Sequence, residues 1–531
     1  MTASVVLPPT KNRARGHVIA LDVGTTTLRA CLFDGRCRLL KVAERAIKLE
    51  FSGIDEEGLR AEIDPDLLWE QLCDVFREII NSVDDVKSIR SLGISCQRST
   101  FICWEKDTGI PCHKFVTWKD CRAREECKRW NQSLTLKALN FFGGILYFFT
   151  NQQRFKSARM FAFLSAMVTH RLMVTISQDK RMQKLLNEGK LMFGCLDTWI
   201  IHKLTCGRVH LTEPSSASTT GLFDPYLLDW GRSLLSLISF PVSLLPMHTC
   251  TAGDVLAVID GKLFGVQIEI GAVAGDQQAA LFASGGLNKG DVSISLGTGS
   301  FIDVNTGDQP HASMRGLYPL VAWKFPNLYS YAAEGCSHDT ALILKWAQSI
   351  GLFTDIMDTS DIAKRAEPSD LYFVPAFGGL QTPINDYSAC CAFLGLRPDT
   401  SKGQMLRSIL ESIAFRIFQI WNTVKKEIDF KLSRIVRCCG GVSTNDFVCE
   451  TISTLINRPL ERMKEQSFAS ARGAALMAGL TAGLWNFDDI PELVCIEKAF
   501  YPMTSERNIL LEKFRKWEGH LSRCLHFYDN N

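Results

Sequence analysis

The sequence predicts an α/β protein of two or more domains, and three observations support this fold class. The chain has 531 residues, more than one hydrophobic core usually serves. Apolar runs of strand length alternate with stretches of helical periodicity, a pattern that favours layered α/β folds. One unit, made of a strand, a Gly-Thr turn and a second apolar run, occurs twice, roughly 270 residues apart. Together these patterns predict a duplicated architecture.

The two Gly-Thr units are the first candidate binding elements. In the N-terminal unit, residues 18–21 and 28–33 are predicted strands, and residues 22–27 form the turn. In the second unit, the predicted strand 292–296 runs into the turn 297–299. Small residues there let backbone N–H groups approach a phosphate, and each Thr hydroxyl adds a donor. Two unrelated hairpins remain the alternative explanation.

Asp276 is the candidate catalytic residue. Residues 268–274 are a predicted strand and residues 277–283 a predicted helix, so Asp276 stands at the junction between them. We expect its carboxylate to face a cleft, where it can accept a proton from a hydroxyl group.

The C-terminal half contains a long predicted amphipathic helix over residues 406–424, with Arg407, Glu411 and Lys425 off its apolar face. After it, a predicted strand (433–438) leads to Gly440-Gly441 and to a helix that Thr444 opens. Such a junction exposes N–H donors to an anion or a nucleotide, although it is equally an ordinary turn.

Another predicted helix, residues 473–479, is rich in small residues and suits close packing, either against neighbouring elements or beneath an adenine.

Composition excludes several function classes. The net charge of +2 provides no basic stripe, so nucleic acid is not an expected partner. The 19 cysteines contain no Cys-x-x-Cys pair, and we expect reduced thiols in a cytoplasmic protein. Residues 1–17 are predicted to be a disordered leader. The sequence leaves a homo-oligomer open.

An apolar, aromatic segment over residues 141–176 is interrupted by basic residues, which predicts no transmembrane span. We interpret it as helices or loops of a core. A peripheral membrane or protein contact through Phe141-Phe142 and Phe148-Phe149 is the alternative.

Seven stretches of the sequence occur in an order that resembles the FGGY carbohydrate kinases, and among them the glycerol kinases. They are LDVGTTTLRACLFD, GISCQRSTFICWEKDTG, FGCLDTWIIHKLT, AGDQQAALFASGGLNKGDVSISLGTGSFIDVNTG, FVPAFGGLQTPINDYSACCAFLGL, ILESIAF and CGGVSTNDF. The resemblance implies a two-domain actin-like/ribonuclease H-like ATPase fold with its active site in the interdomain cleft. It also implies an N-terminal domain (18–285) on the substrate side and a C-terminal domain (286–531) on the nucleotide side.

The resemblance further implies ATP-dependent phosphorylation of glycerol or a related polyol, with Mg2+. By motif position, Asp276 corresponds to the family's base. The other residues that match family positions are Arg98, Ser99, Gln277 and Trp118 for the polyol, Asp22 for the metal, and Thr25, Thr26, Arg29, Thr298, Gly299, Gly441 and Asn445 for the nucleotide.

Three positions depart from the typical glycerol kinase pattern. The Glu that follows the polyol-site Arg is Ser99 here, an Arg has become Thr219, and an Asp has become Cys439. Replacing a carboxylate by a hydroxyl weakens or alters polyol binding. A kinase for another polyol or sugar, and a catalytically weak kinase-like ligand sensor or scaffold, are therefore alternative hypotheses.

Overall fold

The computed structural model describes residues 16–52 and 59–529. The predicted leader lies outside the described residues except for Gly16 and His17, and His17 begins the first strand.

The described chain contains strands that we number in chain order: β1 (His17–Val23), β2 (Thr27–Asp34), β3 (Leu39–Ala46), β4 (Glu50–Ser52), β5 (Arg60–Ile63), β6 (Ile89–Cys96), β7 (Phe101–Glu105), β8 (Phe115–Val116), β9 (Leu191–Cys195), β10 (Leu211–Thr212), β11 (Phe223–Asp224), β12 (Asp229–Trp230), β13 (Met247–His248), β14 (Ala252–Val258), β15 (Glu269–Gly275), β16 (Val292–Leu296), β17 (Ser300–Gly307), β18 (Tyr318–Phe325), β19 (Leu328–Ser337), β20 (Tyr372–Val374), β21 (Ala392–Leu394), β22 (Val436–Cys439), β23 (Leu460–Met463) and β24 (Ile496–Phe500).

The α-helices of the same residues are α1 (Pro65–Ile80), α2 (Arg124–Gln132), α3 (Leu134–Thr150), α4 (Gln153–Arg159), α5 (Val168–Ser177), α6 (Lys180–Asn187), α7 (Leu196–Leu204), α8 (Pro214–Ala217), α9 (Arg232–Leu237), α10 (Gly261–Phe264), α11 (Asp276–Ala283), α12 (Thr340–Ser349), α13 (Thr359–Arg365), α14 (Lys402–Glu427), α15 (Asp446–Ile456), α16 (Ala469–Thr481), α17 (Ile490–Leu493) and α18 (Thr504–Leu521).

Two large mixed sheets repeat one pairing scheme, which confirms the predicted duplication. The first sheet runs β3-β2-β1-β6-β15-β14, and the second contains the run β19-β17-β16-β22-β23-β24 with β18 added at one edge. Along each run the pairs are antiparallel, antiparallel, parallel, parallel and antiparallel. The two Gly-Thr turns occupy the same place in the two repeats, since one connects β1 to β2 and the other connects β16 to β17.

The predicted domain boundary at 285/286 falls in the link between α11 and β16, and it stays a prediction.

Helix α16 joins the two halves of the chain. It packs against the first sheet and against α11 at distances that only glycine permits, because a Cβ on Gly93 would lie 2.2 Å from the Ala474 carbonyl oxygen. Likewise, a Cβ on Gly473 would lie 1.8 Å from the carbonyl oxygen of Ala279. The small residues of this helix therefore serve close packing between elements, as the sequence predicts.

Helix α14 contains the predicted amphipathic stretch, but one residue assigned to its polar side is buried. Glu411 is 1% exposed and lies 3.0 Å from Arg407 Nε and 2.6 Å from Lys513 Nζ. Glu411 is buried although it lies off the apolar stripe, because a basic residue from α18, about a hundred positions away, supplies a partner inside the core.

The aromatic segment 141–176 folds as the C-terminal part of α3, then α4 and α5. Helix α5 belongs to the core, whereas in α3 only Leu136 and Gly143 are buried. The core interpretation therefore holds for α5 and was wrong for α3, whose Phe148 and Phe149 are 82% and 77% exposed. Among the described residues, no helix is long and apolar enough to cross a membrane.

Candidate functional site

A cavity of about 1710 Å³ opens where the carboxyl ends of the central strands of both sheets meet. The cleft walls include every predicted site residue except Asn445: Asp22, Thr25, Thr26, Arg29, Arg98, Ser99, Trp118, Asp276, Gln277, Thr298, Gly299 and Gly441. Ligands of open α/β sheets commonly bind at such strand ends.

The two Gly-Thr turns face this cavity. In the first, the Gly24 N–H donates to the Thr27 carbonyl oxygen (3.0 Å), and Trp118 Nε1 donates to Thr25 Oγ1 (3.0 Å). In the second, the Gly297 N–H donates to the Gly299 carbonyl oxygen (2.9 Å). The Thr298 carbonyl oxygen also accepts from the first N–H groups of α12, at 3.2 and 3.1 Å. Each turn is thus held by a hydrogen bond within the turn and by a contact from a distant segment, Trp118 for the first and α12 for the second.

Asp22 and Arg29 lie beside the first turn. Arg29 Nη1 is 3.9 Å from Asp22 Oδ2 and donates to the Ser467 carbonyl oxygen (3.1 Å), and its guanidinium lies 5.1 Å from the ring centre of Phe468. Burial raises the pKa of Asp22 to about 6, although Arg29 and Ser95 oppose the shift. The carboxylate is therefore incompletely neutralised by its protein neighbours.

The candidate base, Asp276, begins α11 at the end of β15. Arg98 Nε lies 3.3 Å from Asp276 Oδ1, and Arg98 Nη1 lies 2.7 Å from Glu334 Oε2. Burial raises the pKa of Asp276, while the charge of Arg98 opposes that shift. Arg98 thus holds the carboxylate in place from one side and ties it to the second sheet.

A third carboxyl group, Asp303, stands opposite Glu334 in the β17–β19 pair. Burial, with the nearby charge of Glu334, raises the pKa of Asp303 well above its usual value. One guanidinium therefore faces three carboxyl groups, and burial among them favours the neutral form of Asp303. Sequence reasoning missed Glu334 and Asp303, and the signal that could have found them is a single charged residue in each of two otherwise uncharged, largely buried strands.

Gln277 follows the base and carries a free acceptor. Its Oε1 is buried, and within the described part of the chain it accepts no hydrogen bond. Such an atom suits a ligand hydroxyl group, because an unmet buried acceptor costs free energy.

Ser99 and Thr219 form a neutral pair at the other end of the cleft. Ser99 Oγ donates to the Thr219 carbonyl oxygen (2.9 Å) and lies 3.1 Å from Thr219 Oγ1. Two of the three positions that depart from the glycerol kinase pattern are therefore in contact, and together they replace a pair of charged side chains by a pair of neutral ones. Ser99 also has a φ of 55°, a left-handed conformation that is uncommon outside glycine.

Arg171 stabilises this end of the cleft through hydrogen bonds to the backbone of the segments that line it. It is fully buried, and its partners are backbone carbonyl oxygens: Ser99 (2.7 Å), Ala166 (2.5 Å), Met167 (3.1 Å) and Thr117. Burial lowers the pKa of Arg171 to about 10. In the sequence, Arg171 is one of the basic residues that interrupt the apolar segment 141–176.

The Gly440-Gly441 junction differs from its prediction in detail. The strand is shorter than predicted, β22 begins at Val436, and residues 441–444 form a 3-10 turn. Asn445, rather than Thr444, caps α15 by accepting from the Val448 N–H (3.0 Å), and its amide donates to Thr359 Oγ1 (2.9 Å). The Asn445 side chain is committed to these contacts and does not line the cavity.

Two lysines that the sequence analysis did not name also line the cavity. Lys119 follows Trp118, and burial lowers its pKa, while Lys345 lies on α12. Cations at these positions suit an anionic ligand such as a nucleotide phosphate chain.

Comparison with known families decides the classification. Residues 17–283 match the N-terminal domain of the FGGY family of carbohydrate kinases, and residues 292–482 match its C-terminal domain. The chain belongs to this family.

Curated FGGY relatives extend over nearly the whole chain. Glycerol kinase 5 of Bos taurus is 40% identical over 97% of this chain and 97% of its own length, and glycerol kinase 5 of Danio rerio is 38% identical over 96% and 97%. The glycerol kinase of Staphylococcus haemolyticus is 30% identical over 93% and 95%. These relatives bear out the resemblance to glycerol kinases, and in particular to the glycerol kinase 5 type.

Solved structures support the two-domain FGGY fold. Plasmodium falciparum glycerol kinase with ADP superposes with a TM-score of 0.82 at 24% identity, covering 96% of this chain and 98% of that one. A ligand-bound xylulose kinase from Lactobacillus acidophilus gives 0.76 at 20% identity, with 97% and 99% coverage. The predicted two-domain α/β fold class is thereby confirmed.

Proposed function

We propose that this protein transfers the γ-phosphate of ATP to glycerol and releases glycerol 3-phosphate and ADP. The observation that carries the proposal is the position of Asp276. Its carboxylate shares one cavity with both Gly-Thr turns and lies 3.3 Å from Arg98, which steadies it. The names of the relatives, glycerol kinase and glycerol kinase 5, point to the same reaction.

In this proposal each end of the cleft has its own task. Asp276 accepts the proton of the attacking hydroxyl group, and Arg98 and Gln277 hold the polyol through hydrogen bonds. Trp118 forms a wall beside them. The turns that contain Thr25, Thr26, Thr298 and Gly299, together with Arg29 and Gly441, position the nucleotide, since phosphoryl transfer depends chiefly on in-line placement and charge neutralisation.

Asp22 would hold Mg2+. A buried carboxylate whose nearest cation is 3.9 Å away is an oxygen ligand of the kind that Mg2+ prefers, and a bound divalent ion would offset the burial that raises its pKa to about 6. When bound, the ion supplies positive charge to the phosphate oxygens. We assign no ligand role to the Asn445 side chain, since its contacts lie within the protein.

An ADP-release assay with purified protein tests the function. Glycerol, other triols, pentitols and ketoses are offered in turn, and Asp276→Ala serves as the control. We expect turnover with glycerol that falls by about 10²–10⁴-fold in the variant, which still binds ADP. Equal ADP release by both proteins with every acceptor would contradict the proposal.

A second candidate function, a ligand sensor or scaffold with little turnover, is favoured by the neutral Ser99–Thr219 pair. It predicts ATP and polyol binding by calorimetry without phosphorylated product. We further propose a cytosolic location, on the grounds of the sequence alone, and leave a homo-oligomer open.

A further inference from the structure

Beyond Ser99 the cleft continues into an apolar chamber. Its walls come from α3, from the segment between α4 and α5, and from the segment 218–224. The side chains that matter here are Leu139, Phe142, Leu146, Phe163 and Met167. This chamber is part of the same cavity that contains Asp276.

The connection between the polyol corner and the apolar chamber runs along residues 219–221. Thr219 contacts Ser99, and the carbonyl oxygen of Thr220 accepts from the N–H of Val168 (3.0 Å). A Cβ on Gly221 would lie 2.9 Å from Met167 Sδ. The two regions therefore share one wall with no intervening element.

Few charges face the chamber. Arg154 is paired with Asp224 at 2.8 Å, and Arg124 and Lys128 are exposed. Asn131, Ser157 and Tyr226 also line this part of the cavity, but they hydrogen-bond within the protein. An extended sugar would therefore find few free partners for its hydroxyl groups there, which costs free energy, whereas a hydrocarbon chain needs none.

The size of the cavity points the same way. About 1710 Å³ exceeds the roughly 300–1,000 Å³ of an ordinary small-molecule site. If glycerol and a nucleotide occupy the polar part beside Asp276 and the Gly-Thr turns, the part lined by Leu139, Phe142 and Leu146 is available to a further group. The short side chains of Ser99 and Thr219, in place of the Glu and Arg of the typical pattern, keep the passage open.

We propose that the preferred acceptor is a glycerol that carries one apolar chain, namely a 1-acylglycerol or 1-alkylglycerol, with the chain in this chamber. The proposal rests on the proposed kinase function. The free primary hydroxyl oxygen attacks the γ-phosphorus and forms the new P–O bond, the bond from that phosphorus to the β-phosphate oxygen breaks, and Asp276 takes the hydroxyl proton. The products are ADP and the phosphate ester of the acylglycerol.

A chain-length series tests the proposal. Glycerol and 1-butyryl-, 1-hexanoyl- and 1-octanoylglycerol are offered below their aggregation concentrations, and ADP release gives kcat/KM for each. We expect kcat/KM to rise about fourfold for each buried CH2 group. Phosphorylated acylglycerol is confirmed by mass spectrometry.

A pair of variants on α3 links the effect to the chamber. Leu146→Glu places a charge on the inner wall, and Phe149→Glu places the same charge on the outer face, where Phe149 is 77% exposed. We expect the ratio of kcat/KM for octanoylglycerol to that for glycerol to fall at least tenfold in Leu146→Glu and to stay unchanged in Phe149→Glu. Phe142→Ser provides a second inner-wall variant.

The outcomes separate the two proposals. Turnover of glycerol with no gain along the series, or equal ratios in the inner and outer variants, would overturn the acylglycerol inference and leave the kinase function intact. Absence of turnover with every acceptor would overturn the kinase function. In that case calorimetry would test whether acylglycerols bind in the chamber. Binding of octanoylglycerol that Leu146→Glu abolishes would support acylglycerols as the ligand class, and no binding would overturn it.

Discussion

The two ends of the cleft differ in how closely they follow their family. The phosphoryl-transfer end contains Asp22, Arg29, Arg98, Asp276 and Thr298, all charged or hydroxylated residues that match the expected motif positions, and its one departure is Cys439 in place of an Asp. The acceptor end is bounded by Ser99, Thr219 and the apolar chamber, where charged family residues are replaced by neutral ones.

This difference separates chemistry from specificity. The transfer end requires fixed charges, because γ-phosphate transfer is governed by charge and alignment. The acceptor end only has to present a hydroxyl group to Asp276, so its walls can change without loss of the base. We therefore expect substitutions at the transfer end to reduce stability or turnover, and substitutions at the acceptor end to change which acceptor is preferred.

The largest expected effect is at Arg98. Replacing it by Met leaves Asp276 and Glu334 as buried carboxylates without their cation, and we expect the free energy of unfolding to fall by about 3–5 kcal/mol. Urea denaturation measures this change. Adding Glu334→Gln should recover part of the loss, and a cost below about 1 kcal/mol for Arg98→Met alone would show that the carboxyl groups do not depend on this arginine.

At the acceptor end, the corresponding test is Arg171→Met. The buried partners of Arg171 are neutral carbonyl oxygens, so its removal leaves unmet acceptors rather than charges, and we expect a loss of about 3 kcal/mol in the free energy of unfolding. Arg129→Met is the matched control, because Arg129 is exposed and pairs only at the surface with Glu126. Equal losses in both variants would refute a supporting role for Arg171.

Asp22, the carboxylate that we propose as the metal ligand, offers a test by pH. The folded-state pKa of Asp22 is about 6 against an ordinary value of 3.8, so the folded protein holds a proton that the unfolded chain has released between these pH values. Stability from this residue is therefore full below about pH 3.8, declines as pH rises, and is lost above about pH 6. Asp22→Asn should remove this decline and stabilise the protein at pH 7 by up to about 3 kcal/mol, while Mg2+-dependent turnover falls. Unfolding curves of wild type and Asp22→Asn are compared at pH 4 and pH 7. A stability difference between the two proteins that is the same at both pH values would contradict the raised pKa of Asp22.

The smallest expected effect is a change of specificity. Ser99→Glu alone buries a carboxylate against Thr219, whereas Ser99→Glu with Thr219→Arg supplies its cation and restores the charges of the typical pattern. We expect the double variant to lower the glycerol KM by about tenfold, equivalent to about 1.4 kcal/mol, with each single variant giving less. The glycerol KM values of the wild-type protein, the two single variants and the double variant form a double-mutant cycle. Strictly additive effects would show that the two positions are not coupled.

The sequence predicted the parts of the site that are local in the chain. Both Gly-Thr turns, the strand-to-helix junction at Asp276 and the close-packing helix α16 follow from short patterns of glycine, threonine and apolar residues. Their conformations depend mainly on neighbouring residues, which is why short patterns suffice.

The residues that were missed depend on distant partners. Glu334 and Asp303 meet only when β17 and β19 pair, Arg171 reaches carbonyl groups more than fifty positions away, and Glu411 is buried because Lys513 neutralises it. In each case a polar residue became part of the interior through a tertiary contact, which periodicity along one element does not report. The Asn445 side chain caps α15, and its expected contact with the nucleotide stays a prediction.

Transfer of radioactive label tests the central claim most directly. Wild-type protein and Asp276→Ala are each incubated with [γ-32P]ATP, Mg2+ and glycerol, and the products are separated by chromatography. The account predicts labelled glycerol phosphate from the wild-type protein, with about 10²–10⁴-fold less from the variant. Label that remains in ATP or appears only as inorganic phosphate, to the same extent in both proteins, would contradict it.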